Sequence, residues 1–485
     1  MIDIVTESGA DLRRAHLVGA GGAGMSAIAT LLLDRGAEVS GSDAKSSHAL
    51  TGLGARGALV RVGQRAENLD ALPNGPTAVV VSTAIHADNP EVVEARRRGL
   101  PVVRRADALA ALMAGSRAVC IAGTHGKTST TSMLTVALQH AGLDPSFAIG
   151  GELNESGSGA HAGSGDIFVA EADESDGSLL AYAPHGAVIT TIEPDHLDFH
   201  GTAEAYEAVF AQFVDRIRPG GFLVAGIDDT GVQALLDGVE SPAAGAAHAR
   251  RVITYGRSPQ ADVRIGATAL SGHTGSADLR LPDGTQLTIA IDVPGEHMLA
   301  NAAAVMATGI ELGVDLQAIR RGLAAYTGVH RRFDYRGRVG SIRVYDDYAH
   351  HPTEVAATLA AARSVAGPGR VVVVFQPHLY SRTVTFAAEF GRALAAADVA
   401  VVLDVYGARE DPRPGITGEL VARAIPDGAA EVHYVASMAR APQAVAALLR
   451  PGDLVLTMGA GDVTMVGPEL LRELDSRAAE TFGEG

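Results

Sequence analysis

Residues 118–133 read AVCIAGTHGKTSTTSM. An apolar run, Ala118–Ala122, leads into a glycine turn, and the segment behind the turn is predicted to continue as a helix as far as His140. A strand that enters a helix through a glycine turn is the repeating unit of a parallel α/β sheet. The same order recurs on both sides of this stretch, so the whole chain is predicted to belong to the α/β class.

The turn GTHGKT at residues 123–128 resembles a P-loop, although it is shorter than the full motif because Ile121 stands where the first glycine would be. Its two glycines let backbone N–H groups turn toward phosphates. Lys127 is then expected to reach the β- and γ-phosphates, and the Thr128 hydroxyl to ligate Mg²⁺. The alternative is a turn that only caps a helix through its threonines, but a GKT sequence between a strand and a helix favours nucleotide binding.

The length of 485 residues suits about three domains. We predict a Rossmann-like domain at residues 1–113, a central parallel sheet of the P-loop ATPase type at 114–326, and a C-terminal Rossmann-like α/β domain at 327–485. Residues 231–290 are more polar and alternating, so a peripheral β region without an assigned function is expected there.

The composition narrows the function classes. A net charge of −17 argues against a broad nucleic-acid or anionic-membrane surface. The single cysteine, Cys120, leaves no disulfide framework within the chain, as is typical of a reducing compartment. The first residues lack the pattern of a signal peptide, and no apolar window is long enough to span a bilayer. We therefore expect a cytoplasmic protein without a nucleic-acid partner or membrane insertion.

A second glycine turn, GAGGAG at residues 19–24, fits GxGxxG and follows another apolar run, with Asp43 beyond the next strand. Such a turn presents a helix N-terminus to a diphosphate. Asp43 lies near the position where such folds have an acidic residue that binds a ribose. The motif does not distinguish NAD, FAD and UDP-sugars. One alternative is therefore an NAD-dependent oxidoreductase, but this function would leave GTHGKT unexplained. A second alternative is a P-loop ATPase that acts as a switch or motor, but this function would leave GAGGAG unexplained.

Acidic residues follow two predicted strands of the central domain. Glu171 comes directly after the run Ile167–Ala170, and Asp173, Glu174 and Asp176 follow it in the stretch EADESD. One or two of these four acids are expected to bind a metal ion, Glu171 first. Carboxylates at the carboxyl end of a parallel strand suit Mg²⁺, although an acidic run is often only a solvated surface. His196 follows the predicted strand Ala187–Ile192 and is expected to hold a second metal or to orient the substrate.

Taken together, seven segments resemble the Mur ligases of peptidoglycan precursor synthesis, and they follow the family's order along nearly the whole chain. They are HLVGAGGAGMSAIA (16–29), GTHGKTSTTSM (123–133), EADESDGS (171–178), TIEPDHLD (191–198), GVHRRF (328–333), DDYAHHPTE (346–354) and FQPHLYSRT (375–383).

The resemblance implies an ATP-dependent ligase that uses Mg²⁺ to join L-alanine to the carboxylate of UDP-N-acetylmuramate through an acyl phosphate. The first domain would bind the UDP-sugar, the second would bind ATP, and the third would close over both and position the amino acid. A ligase that reattaches recycled peptides to the same sugar nucleotide is the nearest alternative. Selectivity among alanine, glycine and serine, the base for the amine and the oligomeric state stay open.

The resemblance also implies roles for individual residues. The expected catalytic residues are Lys127, His196, Arg332 and Asp347. Those expected to contact ATP are Gly123, Thr124, His125, Gly126, Lys127, Thr128, Ser129, Asn301 and Arg331. Those expected to hold Mg²⁺ are Thr128, Glu171 and His196. Those expected to bind the other substrates are Gly21, Gly22, Ala23, Gly24, Asp43, Ser82, Thr83, His350 and Arg382.

The chain departs from the family pattern at two positions. Met298 stands where the family often has Asn, which puts an adenine or ribose contact in doubt and leaves Asn301 as the expected contact. Leu379 stands where the family often has Arg, so a carboxylate contact is either lost or supplied by Arg382 alone.

Overall fold

The structure, a computed structural model, describes residues 4–239, 250–408 and 410–483. The chain forms two compact units. One comprises residues up to 266 together with 279–287 and 301–325, and the other comprises 267–278, 288–300 and the chain from 326 onward. The described residues hold three sheets with helices between the strands, which confirms the predicted α/β class.

The first sheet is parallel, with five strands in the order β3-β2-β1-β4-β5. The strands are β1 (Arg14–Val18), β2 (Glu38–Asp43), β3 (Leu59–Val62), β4 (Ala78–Val81) and β5 (Val102–Arg104). The helices are α1 (Ala23–Asp34), α2 (His48–Ala55), α3 (Pro90–Arg97) and α4 (Arg105–Met113). After β1 the chain adds β2 and β3 on one side of it, and then β4 and β5 on the other side. Ligands of such folds bind at the point where the strand order reverses, here between β1 and β4. The GAGGAG turn follows β1 and Ser82 follows β4, so both predicted substrate segments lie there.

The second sheet has ten strands in the order β15-β14-β13-β12-β11-β10-β6-β9-β7-β8. The strands are β6 (Arg117–Ala122), β7 (Ser146–Ala148), β8 (Ala160–His161), β9 (Ile167–Glu171), β10 (Gly186–Ile189), β11 (Phe222–Gly226), β12 (Arg251–Gly256), β13 (Val263–Ser271), β14 (Thr274–Arg280) and β15 (Gln286–Ile291). The helices are α5 (Lys127–His140), α6 (Leu197–His200), α7 (Ala203–Asp215), α8 (Thr230–Val239), α9 (Glu296–Leu312) and α10 (Leu316–Ala325).

Strand β6 pairs in parallel with β10 on one side and β9 on the other. The carboxyl ends of these three strands therefore carry the P-loop turn, the segment before His196, and Glu171 at one edge of the sheet. The β region predicted within 231–290 is present as β12–β15, but helix α8 was not predicted, and residues 240–249 lie outside the described residues.

The third sheet has six strands in the order β16-β17-β21-β18-β19-β20, parallel except for the β16–β17 hairpin. The strands are β16 (Asp334–Val339), β17 (Ile342–Asp347), β18 (Val371–Phe375), β19 (Val399–Leu403), β20 (Glu431–Val435) and β21 (Leu454–Met458). The helices are α11 (Pro352–Ala366), α12 (Tyr380–Leu394), α13 (Glu419–Ala424), α14 (Ala441–Leu448) and α15 (Val466–Gly483).

The central strands of the third sheet are apolar along their whole length because helices cover both faces. Strand β18 reads VVVVF, and each of its residues is buried. Helix α11 begins with a capping box between His351 and Glu354 and has Pro352 in its first turn. Among the helices of the described residues, none is both long and apolar enough to cross a membrane.

Candidate active site

The P-loop turn joins β6 to α5 through two glycines. Gly123 has a φ of +130°, and a Cβ there would lie 2.1 Å from Thr190 Oγ1. Gly126 has a φ of +83°, and a Cβ there would lie 2.7 Å from Asn301 Oδ1. Both positions therefore require glycine. The second distance also brings Asn301, predicted to serve the ATP site, against the loop.

The segment after β10 is bound to the same loop. The sequence predicted a strand as far as Ile192, which is wrong, because β10 ends at Ile189 and the next residues bond to the loop. Thr190 Oγ1 donates to His125 O at 2.5 Å, and His125 N donates to Thr191 Oγ1 at 3.1 Å.

The side chains of the loop make further contacts with this segment. Thr124 Oγ1 donates to Glu193 O at 3.0 Å and accepts from Glu193 N at 2.9 Å. His125 Nε2 lies 3.2 Å from Glu193 Oε2. Ser129 is buried in the first turn of α5. These contacts fix the shape of the turn, and a direct contact of Thr124, His125 or Ser129 with ATP stays a prediction.

Lys127 directs its ammonium group back onto the turn. Its Nζ donates to Gly123 O at 2.6 Å, to Thr124 O at 3.1 Å and to Glu174 Oε1 at 2.8 Å. Burial opposes the charged form, but the nearby carboxylates, Glu174 first, raise the pKa of Lys127 overall. The lysine therefore stays a cation beside the position where the motif places phosphates.

Thr128 and Glu171 form a group of hard oxygen donors. Thr128 Oγ1 lies 3.1 and 3.0 Å from the two carboxylate oxygens of Glu171, and Gly150 N donates to Glu171 Oε2 at 2.9 Å. A hydroxyl and a carboxylate side by side are the ligands that Mg²⁺ takes in phosphate-binding sites. The two residues thus fit the predicted metal role.

His196 begins α6 in the left-handed conformation, with a φ of +51°. Its Nε2 lies 3.5 Å from Asp195 Oδ2, and its backbone N donates to Asp195 Oδ1 at 2.7 Å. A positive φ at a non-glycine residue is uncommon and occurs often at functional sites. The roles predicted for His196 stay predictions.

The GAGGAG turn in the first sheet is held by Asp43, the last residue of β2. Gly21 N donates to Asp43 Oδ2 at 2.9 Å, and Lys45 N donates to Asp43 Oδ1 at 3.1 Å. These contacts hold the turn in shape. The contact predicted between Asp43 and a ribose stays a prediction. Gly22 then caps α1, whose first residues are Ala23 and Gly24.

Arg105, at the start of α4, is a site residue that was missed. A Cβ on Gly24 would lie 2.6 Å from Arg105 Nη1, so the guanidinium covers the glycine turn. Arg105 Nη2 also lies 3.4 Å from Asp173 Oδ2 in the acidic stretch after β9. An arginine pair at the end of a predicted strand, Arg104–Arg105, was the signal available in the sequence.

The segment after β4 lies beside the same turn. Ile85 N donates to Ser82 O at 3.1 Å, and the Ile85 side chain approaches Gly19, where a Cβ would lie 3.2 Å from it. Thr83 Oγ1 donates to Asp176 Oδ2 at 3.0 Å. The acidic stretch 171–176 is therefore connected to both predicted substrate segments of the first sheet.

The arginine pair at 331–332 lies beside Tyr348 in the second unit. The guanidinium carbons of Arg331 and Arg332 lie 4.9 and 5.2 Å from the centre of the Tyr348 ring. Arg331 Nη2 donates to Gly459 O at 2.7 Å, and its Nε lies 3.3 Å from Asp346 Oδ2. The structure thus engages Arg331 with the glycine turn after β21, and its contact with ATP stays a prediction.

Asp347 ends β17 and is buried. Phe333 N and Ala349 N each donate to it at 2.8 Å, and Thr358 Oγ1 donates at 3.4 Å. Burial raises the pKa of Asp347 to about 6. Through these bonds the Asp347 carboxylate holds the backbone at Phe333 and at Ala349. The catalytic role predicted for Asp347 stays a prediction.

His350 and Arg382, predicted to handle the substrates, belong to one cluster. The His350 and His378 rings lie 5.8 Å apart edge to face, and the Tyr406 ring stacks on His378 at 5.9 Å. Arg382 is buried, with Nη1 3.3 Å from His378 Nδ1. The cluster joins residues from three loops at the carboxyl ends of strands in the third sheet.

The two departures from the family pattern are both buried side chains. Leu379 has a φ of +66° and is 3% exposed, so its side chain fills the interior. Met298 is 6% exposed in the first turn of α9.

Models of the Mur ligase family match most of the chain. The catalytic-domain model matches residues 14–117, the middle-domain model matches 121–309, and the glutamate ligase domain model matches 331–461.

Curated relatives match at high identity. The UDP-N-acetylmuramate–L-alanine ligase of Saccharopolyspora erythraea is 60% identical over 471 residues, which cover 97% of this chain and 95% of that protein. The enzyme of the same name from Mycobacterium sp. (strain JLS) is 55% identical and covers 97% of each chain. The crystal structure of the UDP-N-acetylmuramate–alanine ligase of Thermotoga maritima superposes with a TM-score of 0.79 at 27% identity, over 96% of this chain and 99% of that one. By these matches the chain belongs to the Mur ligase family, whose members are ATP-dependent ligases.

Proposed function

We propose that the protein joins L-alanine to the carboxylate of UDP-N-acetylmuramate, with cleavage of ATP to ADP and phosphate, in peptidoglycan precursor synthesis. The observation that carries this proposal is the match, at 60% identity over 97% of the chain, to a ligase named for those substrates. The P-loop turn and the glycine turn of the first sheet supply the two nucleotide sites that such a reaction needs.

Each of the three domains binds a different substrate. Residues 1–113 bind the UDP-sugar, 114–326 bind ATP, and 327–485 position the amino acid. The three family models, at 14–117, 121–309 and 331–461, support this division.

In the UDP-sugar site, the backbone of Gly21, Gly22, Ala23 and Gly24 faces the diphosphate at the start of α1. Ser82 and Thr83 serve the uracil side, and Asp43 holds the turn in shape. A helix N-terminus favours a diphosphate because it offers N–H donors and the positive end of the helix dipole. In a chain with a net charge of −17, such a local arrangement is needed to bind an anion.

The first chemical step activates the carboxylate. A carboxylate oxygen of UDP-N-acetylmuramate attacks the γ-phosphorus of ATP, the bond to the β,γ-bridging oxygen breaks, and ADP leaves with an acyl phosphate formed. Lys127 stabilises the negative charge on the transferred group. Gly123, Gly126 and Asn301 shape the loop around the phosphates. Arg331 and Arg332 are assigned to ATP by their match to the family motif GVHRRF at 328–333.

Mg²⁺ would be held by Thr128, Glu171 and His196. The side-by-side hydroxyl and carboxylate oxygens of Thr128 and Glu171 support this assignment. When bound, the ion supplies positive charge to the phosphate oxygens.

The second step forms the amide. The amine of L-alanine, after loss of a proton, attacks the acyl carbon, and phosphate leaves from the tetrahedral intermediate. Arg382 binds the amino-acid carboxylate and His350 lies beside it. Because Leu379 is apolar and buried, Arg382 is the arginine of this segment that serves the carboxylate. Asp347 holds the backbone on which Arg332 and His350 are carried.

We place the protein in the cytoplasm, where ATP is supplied. The single cysteine, buried and free, supports a reducing compartment.

The proposal is tested by the product. Incubation with ATP, Mg²⁺, UDP-N-acetylmuramate and an equimolar mixture of L-alanine, glycine, L-serine and a peptide beginning with L-alanine is followed by mass spectrometry. We expect the L-alanyl conjugate to dominate. A dominant peptide conjugate would instead assign the peptide-reattaching activity, and no conjugate with any acceptor would refute a ligase of this class.

A further inference from the structure

Glu174 lies at the centre of the ATP site and has no role in the mechanism above. It stands three residues after Glu171 in the acidic stretch that follows β9. Its side chain is 1% exposed, although it carries a carboxyl group. A buried carboxyl group normally has several hydrogen-bond donors around it.

The backbone of Glu174 is fixed by its neighbours. His200 Nε2 lies 2.9 Å from Glu174 O, and Gly177 N donates to the same oxygen at 3.1 Å. The side chain is held differently. Oε1 accepts from Lys127 Nζ at 2.8 Å, and Oε2 is buried without a hydrogen bond to any described residue. The Lys127 ammonium is therefore the group that holds this carboxyl group in place.

Lys127 has three N–H donors and three acceptors around it, namely Gly123 O, Thr124 O and Glu174 Oε1. A phosphate oxygen that bonds to this ammonium must take the place of one of them. The two carbonyl groups belong to the loop itself, whose backbone is bonded to the segment after β10. Glu174 is the acceptor on a side chain that rotates, and in its ionised form it also repels a phosphate.

We propose that Glu174 is a positioning residue that holds Lys127 on the P-loop and competes with the phosphates of ATP for its ammonium group. Binding of ATP exchanges the Glu174 carboxylate for a phosphate oxygen on Lys127. The carboxylate thereby sets the affinity for ATP without touching the sugar nucleotide. This inference rests on the proposed ATP site.

The test compares Glu174→Gln with wild type by calorimetric titration with a non-hydrolysable ATP analogue. The amide has the shape of the carboxyl group but no charge, so it competes less well for the lysine. We expect the Kd of the analogue to fall about tenfold in the absence of Mg²⁺, the effect of one hydrogen bond to a charged group. The fall is expected to be smaller with Mg²⁺, because the ion offsets the repulsion. The KM for ATP should fall with the Kd.

Two controls isolate the contact. Asp173→Asn removes a neighbouring negative charge that has no hydrogen bond to Lys127, and it is expected to change the Kd less than Glu174→Gln. In a Lys127→Met background, Glu174→Gln is expected to tighten binding much less than in wild type, because the contested ammonium is gone. Binding of UDP-N-acetylmuramate should be the same in Glu174→Gln and wild type, which also reports that the variant is folded.

The outcomes separate the inference from the function it rests on. Equal or weaker analogue binding by Glu174→Gln, or equal tightening in the Lys127→Met background, would overturn the inference and leave the ligase proposal standing. A wild-type protein that binds no ATP analogue would refute both. If Glu174→Gln does not fold, Glu174→Asp keeps the charge and withdraws it by one methylene group. The inference then requires a Kd below that of wild type.

Discussion

At the scale of single residues, several side chains that were predicted to contact substrates make contacts that hold the binding loops in shape. Lys127 and Thr128 lie where the P-loop motif places them, but each already has a carboxylate partner, Glu174 and Glu171 respectively. Asp43 and Arg331 were predicted to contact substrates, and both hold glycine turns. A sequence motif identifies such residues without telling whether they contact the substrate or position its binding loop.

The buried carboxyl group of Asp347 is expected to make the stability of the protein depend on pH. Burial raises its pKa to about 6, above the ordinary value of 3.8, so the folded state holds the proton more tightly than the unfolded state. The protonated carboxyl group therefore contributes fully to the free energy of unfolding below about pH 4. This contribution, roughly 3 kcal/mol, is lost as the pH rises through 6. We expect Asp347→Asn to gain thermal stability relative to wild type over that interval, measured by calorimetry between pH 4 and 7.

An exposed acid is the matched control for this experiment. Asp427→Asn removes a carboxyl group at an exposed position of the same sheet domain and is expected to show no comparable gain with pH. A constant difference between Asp347→Asn and wild type from pH 4 to 7 would contradict the account of Asp347.

At the scale of elements, helix α5 and its two flanking turns carry the proposed ATP site. Gly123 precedes the helix and Gly142 follows it, and both have positive φ, +130° and +75°. Their surroundings differ. A Cβ on Gly123 would meet Thr190 Oγ1 at 2.1 Å, whereas a Cβ on Gly142 would meet nothing within 4 Å.

Alanine at the two glycines is therefore expected to have different effects. Gly123→Ala should abolish measurable binding of an ATP analogue, because the loop must move away from Thr190. Gly142→Ala should lower stability by about 1 kcal/mol through backbone strain and leave analogue binding unchanged. Titration calorimetry and thermal unfolding of both variants check this. Equal loss of analogue binding in the two variants would show that general strain in α5 is responsible.

The sequence predicted the elements better than their ends. Strands β6 and β9 were predicted from the apolar runs Ala118–Ala122 and Ile167–Ala170 alone, because strands covered on both faces read as continuous apolar segments. The end of β10 was missed because Thr190 bonds to His125, 65 positions away in the chain. Arg105 was missed as a candidate site residue for the same reason, since its partner Gly24 lies far from it in sequence. Glu174 was among the predicted acidic residues, but its contact with Lys127 was missed.

At the scale of the whole molecule, the described residues form three sheets, each with its candidate functional residues at the carboxyl ends of strands. Within the first unit, Arg105 and Thr83 of the first sheet domain contact Asp173 and Asp176 of the second. The acidic stretch that carries Glu171 and Glu174 is thus connected to the predicted sugar-nucleotide segments. This connection fits a reaction in which a group on one nucleotide is transferred to a substrate carried by another.

In the proposed reaction, ATP is cleaved only when both other substrates are present. Phosphate release is measured with ATP and Mg²⁺ while UDP-N-acetylmuramate and L-alanine are each added or omitted. We predict steady release with both and little release when either is missing, because an acyl phosphate needs the sugar carboxylate and turnover needs the amine. Equal release with ATP alone, indifferent to the sugar nucleotide and to L-alanine, would contradict the account and assign the protein to the P-loop ATPases that act on no second substrate.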